Sequence, residues 1–184
     1  MRILCGIDES GRGPIAGDLV MAGCILHSEV AGLNDSKKLT EKKREALFEQ
    51  IIQNSTYHIA KFTPKQIDED GISACLTKGL KEIMRALKAD EYLFDGNSTF
   101  GVQGLKSMIK ADGKVPEVSA ASIIAKVTHD RDILQEAKNY PEYQFEKHKG
   151  YGTKLHVEMI KKHGYCDIHR RSYKLKALEP KLFY

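Results

Sequence analysis

Two adjacent carboxylates, Asp8 and Glu9, follow the apolar Ile3, Leu4, Cys5 and Ile7 and precede a glycine turn, Gly11-Arg12-Gly13. The apolar run has the length of a short buried strand. Desolvating one ionised carboxylate is costly, and a second beside it adds repulsion. Such a pair at a strand end implies a bound cation. The glycines let the backbone come close to a ligand, and Arg12 between them offers a rigid cationic fork. The chemistry expected is a metal on one side and a phosphate on the other.

Asp95 has the same setting. It ends the short strand pattern Glu91 to Asp95 and is followed by Gly96. Open α/β sheets bind ligands at such strand ends, although an ordinary Asp-Gly turn has the same spelling. Further on, Ser119, Ser122, Lys126 and Asp130 are spaced three, four and four apart, which makes one polar stripe on an otherwise apolar helix. That stripe is either a solvated edge, with Lys126 and Asp130 a surface pair worth ~0.3–0.5 kcal/mol, or the wall of a site. Small residues near its start favour close packing on the sheet, which would carry Asp130 toward the strand ends.

Tyr151 lies between Gly150 and Gly152, after His148 and Lys149, where a ring can offer its face to a sugar or base or pack down as a plug. His169-Arg170-Arg171-Ser172-Tyr173 is a short basic run that reads, alone, as surface. Gly11 to Ala16 matches a dinucleotide-binding glycine pattern, with Asp35 at a suitable distance. Pro14 and the β-like run after it, together with the like charge of Asp8 and Glu9, argue against that ligand. Neither a phosphate-binding Walker loop nor a serine nucleophile elbow occurs.

The elements that must position these groups follow from periodicity. Leu19 to Leu26 is a second strand, forming a hairpin with the first. Thr40 caps a helix to Asn54, and Tyr57 to Phe62 is a third strand. Thr63-Pro64-Lys65-Gln66 starts a helix that Gly71 interrupts, and another runs from Ser73 to Lys88. After the Glu91–Asp95 strand come a weak strand within 101–109, a long helix from Ser119 to Asn139, and a helix from Thr153 to His163 closed by Gly164. The final twenty residues are expected to be partly helical. This order gives an α/β fold with a mixed sheet flanked by helices and a helical C-terminal extension, divided as 1–145 and 146–184.

The chain has 184 residues, enough for one well-cored domain. Its net charge of +4 is uneven: from Pro141 onward ten Lys and Arg face five Asp and Glu, so the body is close to neutral. A basic tail fits a polyanionic partner. Cys5, Cys24, Cys75 and Cys166 are far apart and form no metal-type pair, which fits reduced thiols in the cytoplasm. No apolar run approaches a membrane span, and none resembles a signal peptide.

Taken together, Asp8 to Gly17, Asp35-Ser-Lys-Lys-Leu39, Asp95-Gly96, Ser119 to Asp130, Lys149-Gly-Tyr-Gly-Thr153 and His169 to Tyr173 resemble ribonuclease HII, the type 2 ribonuclease H family. The motifs fall in family order over nearly the whole chain. Ser10, Asp18, His129 and Tyr173 depart from the residues usual there, which are Ala, Pro, Arg and Phe. The resemblance implies an RNase H-like fold in a monomer. It implies hydrolysis of the RNA strand of RNA–DNA hybrids and nicking of duplex DNA 5′ to embedded ribonucleotides, leaving 3′-hydroxyl and 5′-phosphate ends. Such an enzyme removes misincorporated ribonucleotides and RNA primers.

The resemblance further implies that Asp8, Glu9, Asp95 and Asp130 are catalytic and hold two Mn²⁺ or Mg²⁺ ions, ~3.5–4 Å apart in such sites. Asp8, ending the central strand, is the expected bridging ligand. Gly11, Arg12 and Gly13 match the family's sensor of the ribose 2′-hydroxyl, and Tyr151 the ring that stacks on the neighbouring sugar. Lys37, Lys38, Ser119, Ser122, Lys126, Arg170 and Arg171 are candidate phosphate contacts. A junction-resolving nuclease of similar fold and a non-catalytic hybrid-binding module are the competing readings.

Overall fold

A computed structural model describes residues 2–33 and 39–175. Two strands open the chain, β1 (Leu4–Ser10) and β2 (Leu19–Leu26), followed by α1 (Glu41–Gln53) and β3 (Ser55–Phe62). Next come α2 (Pro64–Asp70), α3 (Ile72–Ala86), β4 (Glu91–Asp95) and β5 (Leu105–Met108). The chain continues through α4 (Pro116–Asn139), α5 (Phe145–His148) and α6 (Lys154–His163). The five strands form one sheet in the order β3-β2-β1-β4-β5. β1, β2 and β3 pair antiparallel, whereas β4 lies parallel to β1 and β5 parallel to β4. This is the expected mixed-sheet, RNase H-like architecture.

Local chemistry explains the boundaries. Thr40 accepts the Lys43 amide at the start of α1, a cap worth ~1 kcal/mol. Thr63 and Gln66 complete a reciprocal capping box, and Gly71, at φ 82, both ends α2 and begins α3. α4 starts three residues before the expected Ser119, because Pro116 suits the first helical turn. Beyond His163 the described residues form no helix. Residues 165–175 instead run as an irregular strap, with His169 bridged to Ala16.

Side chains alternate across the pleat. Cys5 and Ile7 of β1 enter a core with Leu76, Leu80 and Ile83 of α3, while Val20, Ala22 and Cys24 of β2 pack against α1 and α4. A third cluster, built from Ile15, Ala16, Ile133, Tyr143, Phe145 and Ile160, seats the C-terminal elements against the glycine turn. Gly6 brings α4 into contact with the sheet: a Cβ there would stand 2.2 Å from the Glu117 carbonyl carbon and 2.3 Å from the Val118 nitrogen. No larger residue permits that approach. Among the described residues no helix is long and apolar enough to cross a membrane.

Candidate active site

β1 and β4 run parallel with Ile7 opposite Phe94, so Asp8, two residues before the end of β1, and Asp95, the last residue of β4, lie on the same side of the sheet. That side faces α4, which Gly6 holds close. A one-turn 3₁₀ helix, Ala111–Gly113, precedes α4 and brings in a further acid. Asp8, Asp95 and Asp112 each present a carboxylate oxygen within 4.8 Å of the others. The Ala111 amide donates to Asp95 at 3.1 Å. The Ser119 hydroxyl donates to the Asp112 backbone carbonyl, tying the 3₁₀ turn to the first turns of α4.

The electrostatics are those of a cation site. Burial, at 7 % exposure, and then the Glu9 charge raise the Asp8 pKa well above the ordinary carboxylate range, partly offset by the Ser122 hydroxyl. Burial also raises Glu9, against the pull of Arg12, whose Nη1 lies 3.2 Å from Glu9 Oε1. The second Glu9 oxygen, Oε2, is buried without a hydrogen-bond partner. Burial and mutual repulsion raise the cost of ionising Asp8 and Glu9, and an all-oxygen set suits a hard divalent ion such as Mn²⁺ or Mg²⁺. The residues present therefore fit the expected metal. The thiols do not compete: burial pushes Cys5 and Cys24 up to about 12.

Asp130 stands elsewhere. It is eight residues beyond Ser122, about 12 Å along the helix, and its Oδ1 is 2.8 Å from Lys126 Nζ and 3.2 Å from His129 Nδ1. Burial pushes it up, but His129 and Lys126 outweigh burial and hold its pKa below the ordinary value. Asp130, expected among the metal ligands, is instead paired with Lys126 and His129, and the acid that stands with Asp8 and Asp95 is Asp112. Asp112-Gly113 repeats the acid–glycine spelling of Asp95-Gly96. That was the available signal, masked because no strand leads into it.

The cleft above the acids, about 380 Å³, is lined by Asp8, Glu9, Ser10, Arg44, Asp95, Ser122, Ile123 and Lys126. Ser122 and Lys126 therefore line the cleft, and Arg44 of α1 is a further cation there that its helical context concealed. Arg12 is exposed, with its guanidinium 5.7 Å from the Phe100 ring centre. Gly11, at φ 89, lies against the Asp18 carbonyl and the His129 ring, where a Cβ would come within 2.4 and 2.7 Å. Tyr151 is 42 % exposed; its ring faces Gly13 and lies 5.8 Å from Lys126 Nζ. Gly13, Lys126 and Tyr151 thus form one rim.

Two further expectations change. The Ser119 side chain is buried beneath the Asp112 turn, so it supports an acid and does not meet a phosphate. Arg170 is 1 % exposed, and its guanidinium donates to the carbonyls of Gly11 (2.6 Å), Gly17 (2.8 Å) and Arg12 (3.3 Å). It braces the glycine turn from within. Arg171 is exposed, with its backbone amide held by Asp68 at 2.8 Å. Lys37 and Lys38 lie outside the described residues.

Comparison with known proteins agrees with this geometry. The family described as Ribonuclease HII matches residues 5–176. The Ribonuclease HII of Sulfurovum sp. (strain NBC37-1) is 61% identical over 181 residues, 98% of this chain and 96% of that protein. The chain also superposes on the ribonuclease HII of a PCNA:RNase HII complex from Archaeoglobus fulgidus, with TM-score 0.83, 28% identity and 98% of both chains covered. The ribonuclease H2 from Pyrococcus horikoshii OT3 gives TM-score 0.76 and 30% identity over 94% of each chain. With three strand-end and turn acids gathered beneath a glycine–arginine rim and the match running through almost every element, this chain belongs to the ribonuclease HII family of ribonuclease H enzymes.

Proposed function

We propose that this enzyme cuts the RNA strand of RNA–DNA hybrids and nicks duplex DNA on the 5′ side of an embedded ribonucleotide, leaving 3′-hydroxyl and 5′-phosphate ends. Its role is then the removal of misincorporated ribonucleotides and RNA primers from DNA. One observation carries the reading: Asp8, Asp95 and Asp112 converge within 4.8 Å beside a cleft lined by Arg44 and Lys126, with Arg12 3.2 Å from the neighbouring Glu9.

Asp8, Glu9, Asp95 and Asp112 are the residues that hold Mn²⁺ or Mg²⁺, with Asp8 central because it adjoins both Glu9 and Asp95. Two such ions, when bound, supply an activated water and neutralise charge on the leaving oxygen. The protein's own part is orientation. Ser122 steadies Asp8, while Lys126, Arg44 and Arg12 draw the phosphates over the acids. Backbone groups of Gly11 to Gly13 approach the ribose 2′-hydroxyl, the group that distinguishes RNA from DNA. Tyr151, on the same rim, offers its face to the adjoining sugar. Phosphate contacts of this kind confer affinity without sequence choice and weaken with salt.

The test uses a DNA duplex with one ribonucleotide beside an all-DNA duplex of the same sequence. The wild-type protein should cut only the first, with Mn²⁺ or Mg²⁺, and stop on addition of chelator. Asp8→Asn should be folded and inactive. Equal cutting of both duplexes, or an active Asp8→Asn, overturns the proposal.

A further inference from the structure

Behind the rim lies a group of rings that the chemistry above does not use. His156 of α6 and His169 of the strap are both buried, and their Nε2 atoms are 3.0 Å apart. The ends of the pair are fixed by backbone. The Cys166 amide can only donate, and it points at His169 Nδ1 from 2.9 Å. The Tyr151 carbonyl can only accept, and it faces His156 Nδ1 at 2.9 Å. His169 Nδ1 must therefore be bare, and its ring proton must sit on Nε2. That proton is donated to His156 Nε2, which puts the His156 proton on Nδ1, directed at Tyr151. Every bond runs in one sense, from Cys166 to Tyr151, and both rings are neutral.

An added proton meets a donor at either open nitrogen, with only the weakly accepting Cys166 Sγ, 3.1 Å from His169 Nδ1, to receive it. Placed on His156 Nε2 it confronts the His169 N–H; placed on His169 Nδ1 it confronts the Cys166 amide. The surroundings agree. His148 stacks on His156 with ring centres 4.1 Å apart, and its own Nε2 is committed to the Tyr143 carbonyl at 2.9 Å. Tyr143, Phe145 and Tyr165 pack around the rings. The ionisable groups facing the pair are His148, Cys166, Tyr143, Tyr165 and Arg171, with no carboxylate among the chief influences. Burial above all pushes both rings down to about 4, helped by His148 at His156 and by Arg171 and then His148 at His169.

What the pair joins gives it consequence. On one side the Tyr151 turn reaches the glycine loop, since the Ile15 amide donates to the Gly150 carbonyl at 2.9 Å and Gly13 lies against the Tyr151 ring. On the other side the strap grips the same loop through the Ala16–His169 bridge, the Arg170 amide on Ile15 at 2.8 Å, and the Arg170 guanidinium. Between the two grips, besides the strap's own connection to α6, the histidine pair is a direct side-chain hydrogen bond.

We infer that His156 and His169 are positioning residues: a proton-locked imidazole pair that fixes the Tyr151 turn relative to the Arg170 strap, and so sets the spacing of the rim that selects a ribonucleotide junction. The inference rests on the ribonuclease reading for what the rim does, but the lock itself can be read without any substrate. In ¹⁵N-histidine spectra of the full chain, His156 should show the Nδ1–H tautomer and His169 the Nε2–H tautomer, both uncharged at neutral pH and still neutral near about pH 5. A charged ring or the opposite tautomer at neutral pH refutes the lock, even in a chain that cuts nothing.

The second arm compares His169→Ala with His169→Gln, whose amide restores a donor toward His156. On a single-ribonucleotide duplex His169→Ala should lose about tenfold more kcat/KM than on a uniform hybrid, and His169→Gln should recover most of that difference. An equal loss on both substrates, or the same loss in both variants, reduces the pair to packing and overturns its positioning role.

Discussion

Lys126 Nζ stands 2.8 Å from Asp130 Oδ1, one turn apart on α4, and this pairing withdraws Asp130 from the acids it resembles in sequence. Asp112, on a 3₁₀ turn tied down by Ser119, is the acid that stands beside Asp8 and Asp95. The two aspartates should therefore respond differently to amidation. Asp112→Asn is expected to reduce metal-dependent cleavage by more than about a hundredfold, the scale of losing a metal-site group. Asp130→Asn should keep activity within a few-fold, because Lys126 remains to meet the phosphate. Steady-state cleavage of a single-ribonucleotide duplex distinguishes them, and the reverse ranking would restore Asp130 to the metal site.

Asp8 carries a pH signature. Its folded pKa is raised by burial and by Glu9, so between the unfolded value, about 3.9, and the folded one the native state holds the extra proton. Stability of the metal-free protein must fall as pH rises through that window. In chelator, Asp8→Asn should melt higher than wild type at neutral pH, and the gap should close below about pH 4. Adding Mn²⁺ should raise the wild-type melting temperature and leave the variant nearly unmoved. Scanning calorimetry at several pH values measures both.

Asp130 has the opposite sign. Its folded pKa is held below the ordinary value by His129 and Lys126, so its contribution is present above the unfolded pKa and is lost as pH falls through the folded one. Asp130→Asn should thus be less stable than wild type at neutral pH, with the difference disappearing in acid. Denaturant unfolding at neutral and acid pH provides the check.

Gly6 is the contact on which the acid cluster depends. A methyl group there would be 2.2 Å from backbone of α4, and backbone cannot rotate away as a side chain can. Gly6→Ala should cost about 1–3 kcal/mol of stability and also lower cleavage, because Asp8 lies on β1 and Ser122 on the displaced helix. Urea unfolding with parallel cleavage assays tests this. A stable variant with full activity would show that the helix has room to move.

The Tyr151 ring should matter more than its hydroxyl. Tyr151→Phe keeps the face and should retain activity within about twofold, whereas Tyr151→Ala should lose about 1–3 kcal/mol of any stacking on the nucleotide. That loss should fall mainly on substrates with an RNA–DNA junction. Competition between a junction duplex and a uniform hybrid reports the preference directly.

Sequence made much of this legible where the cause is local. Asp8 and Asp95 declare themselves because each follows an apolar strand run, although β1 continues two residues past Asp8 to Ser10. Thr63, Gln66 and Gly71 announce helix ends by side-chain chemistry confined to a few residues. Asp112 and Arg170 are harder for one shared reason: their roles depend on partners distant in the chain. Arg170 reads as surface charge until its 159-residue separation from the Gly11 carbonyl is closed in space. Only then does a buried guanidinium make sense, as the donor for carbonyls that a glycine turn leaves without strand partners. His156 and His169 are opaque in the same way, since their tautomers follow from geometry and not from composition.

The hold of Arg170 on Gly11 has a temporal side as well. A ribosome makes the glycine turn 159 residues before the arginine that braces it. Until that arginine emerges, the carbonyls of the turn face water and its shape is unfixed. A nascent polypeptide carrying Asp8 and Glu9 therefore lacks the finished recognition loop until Arg170 has been added.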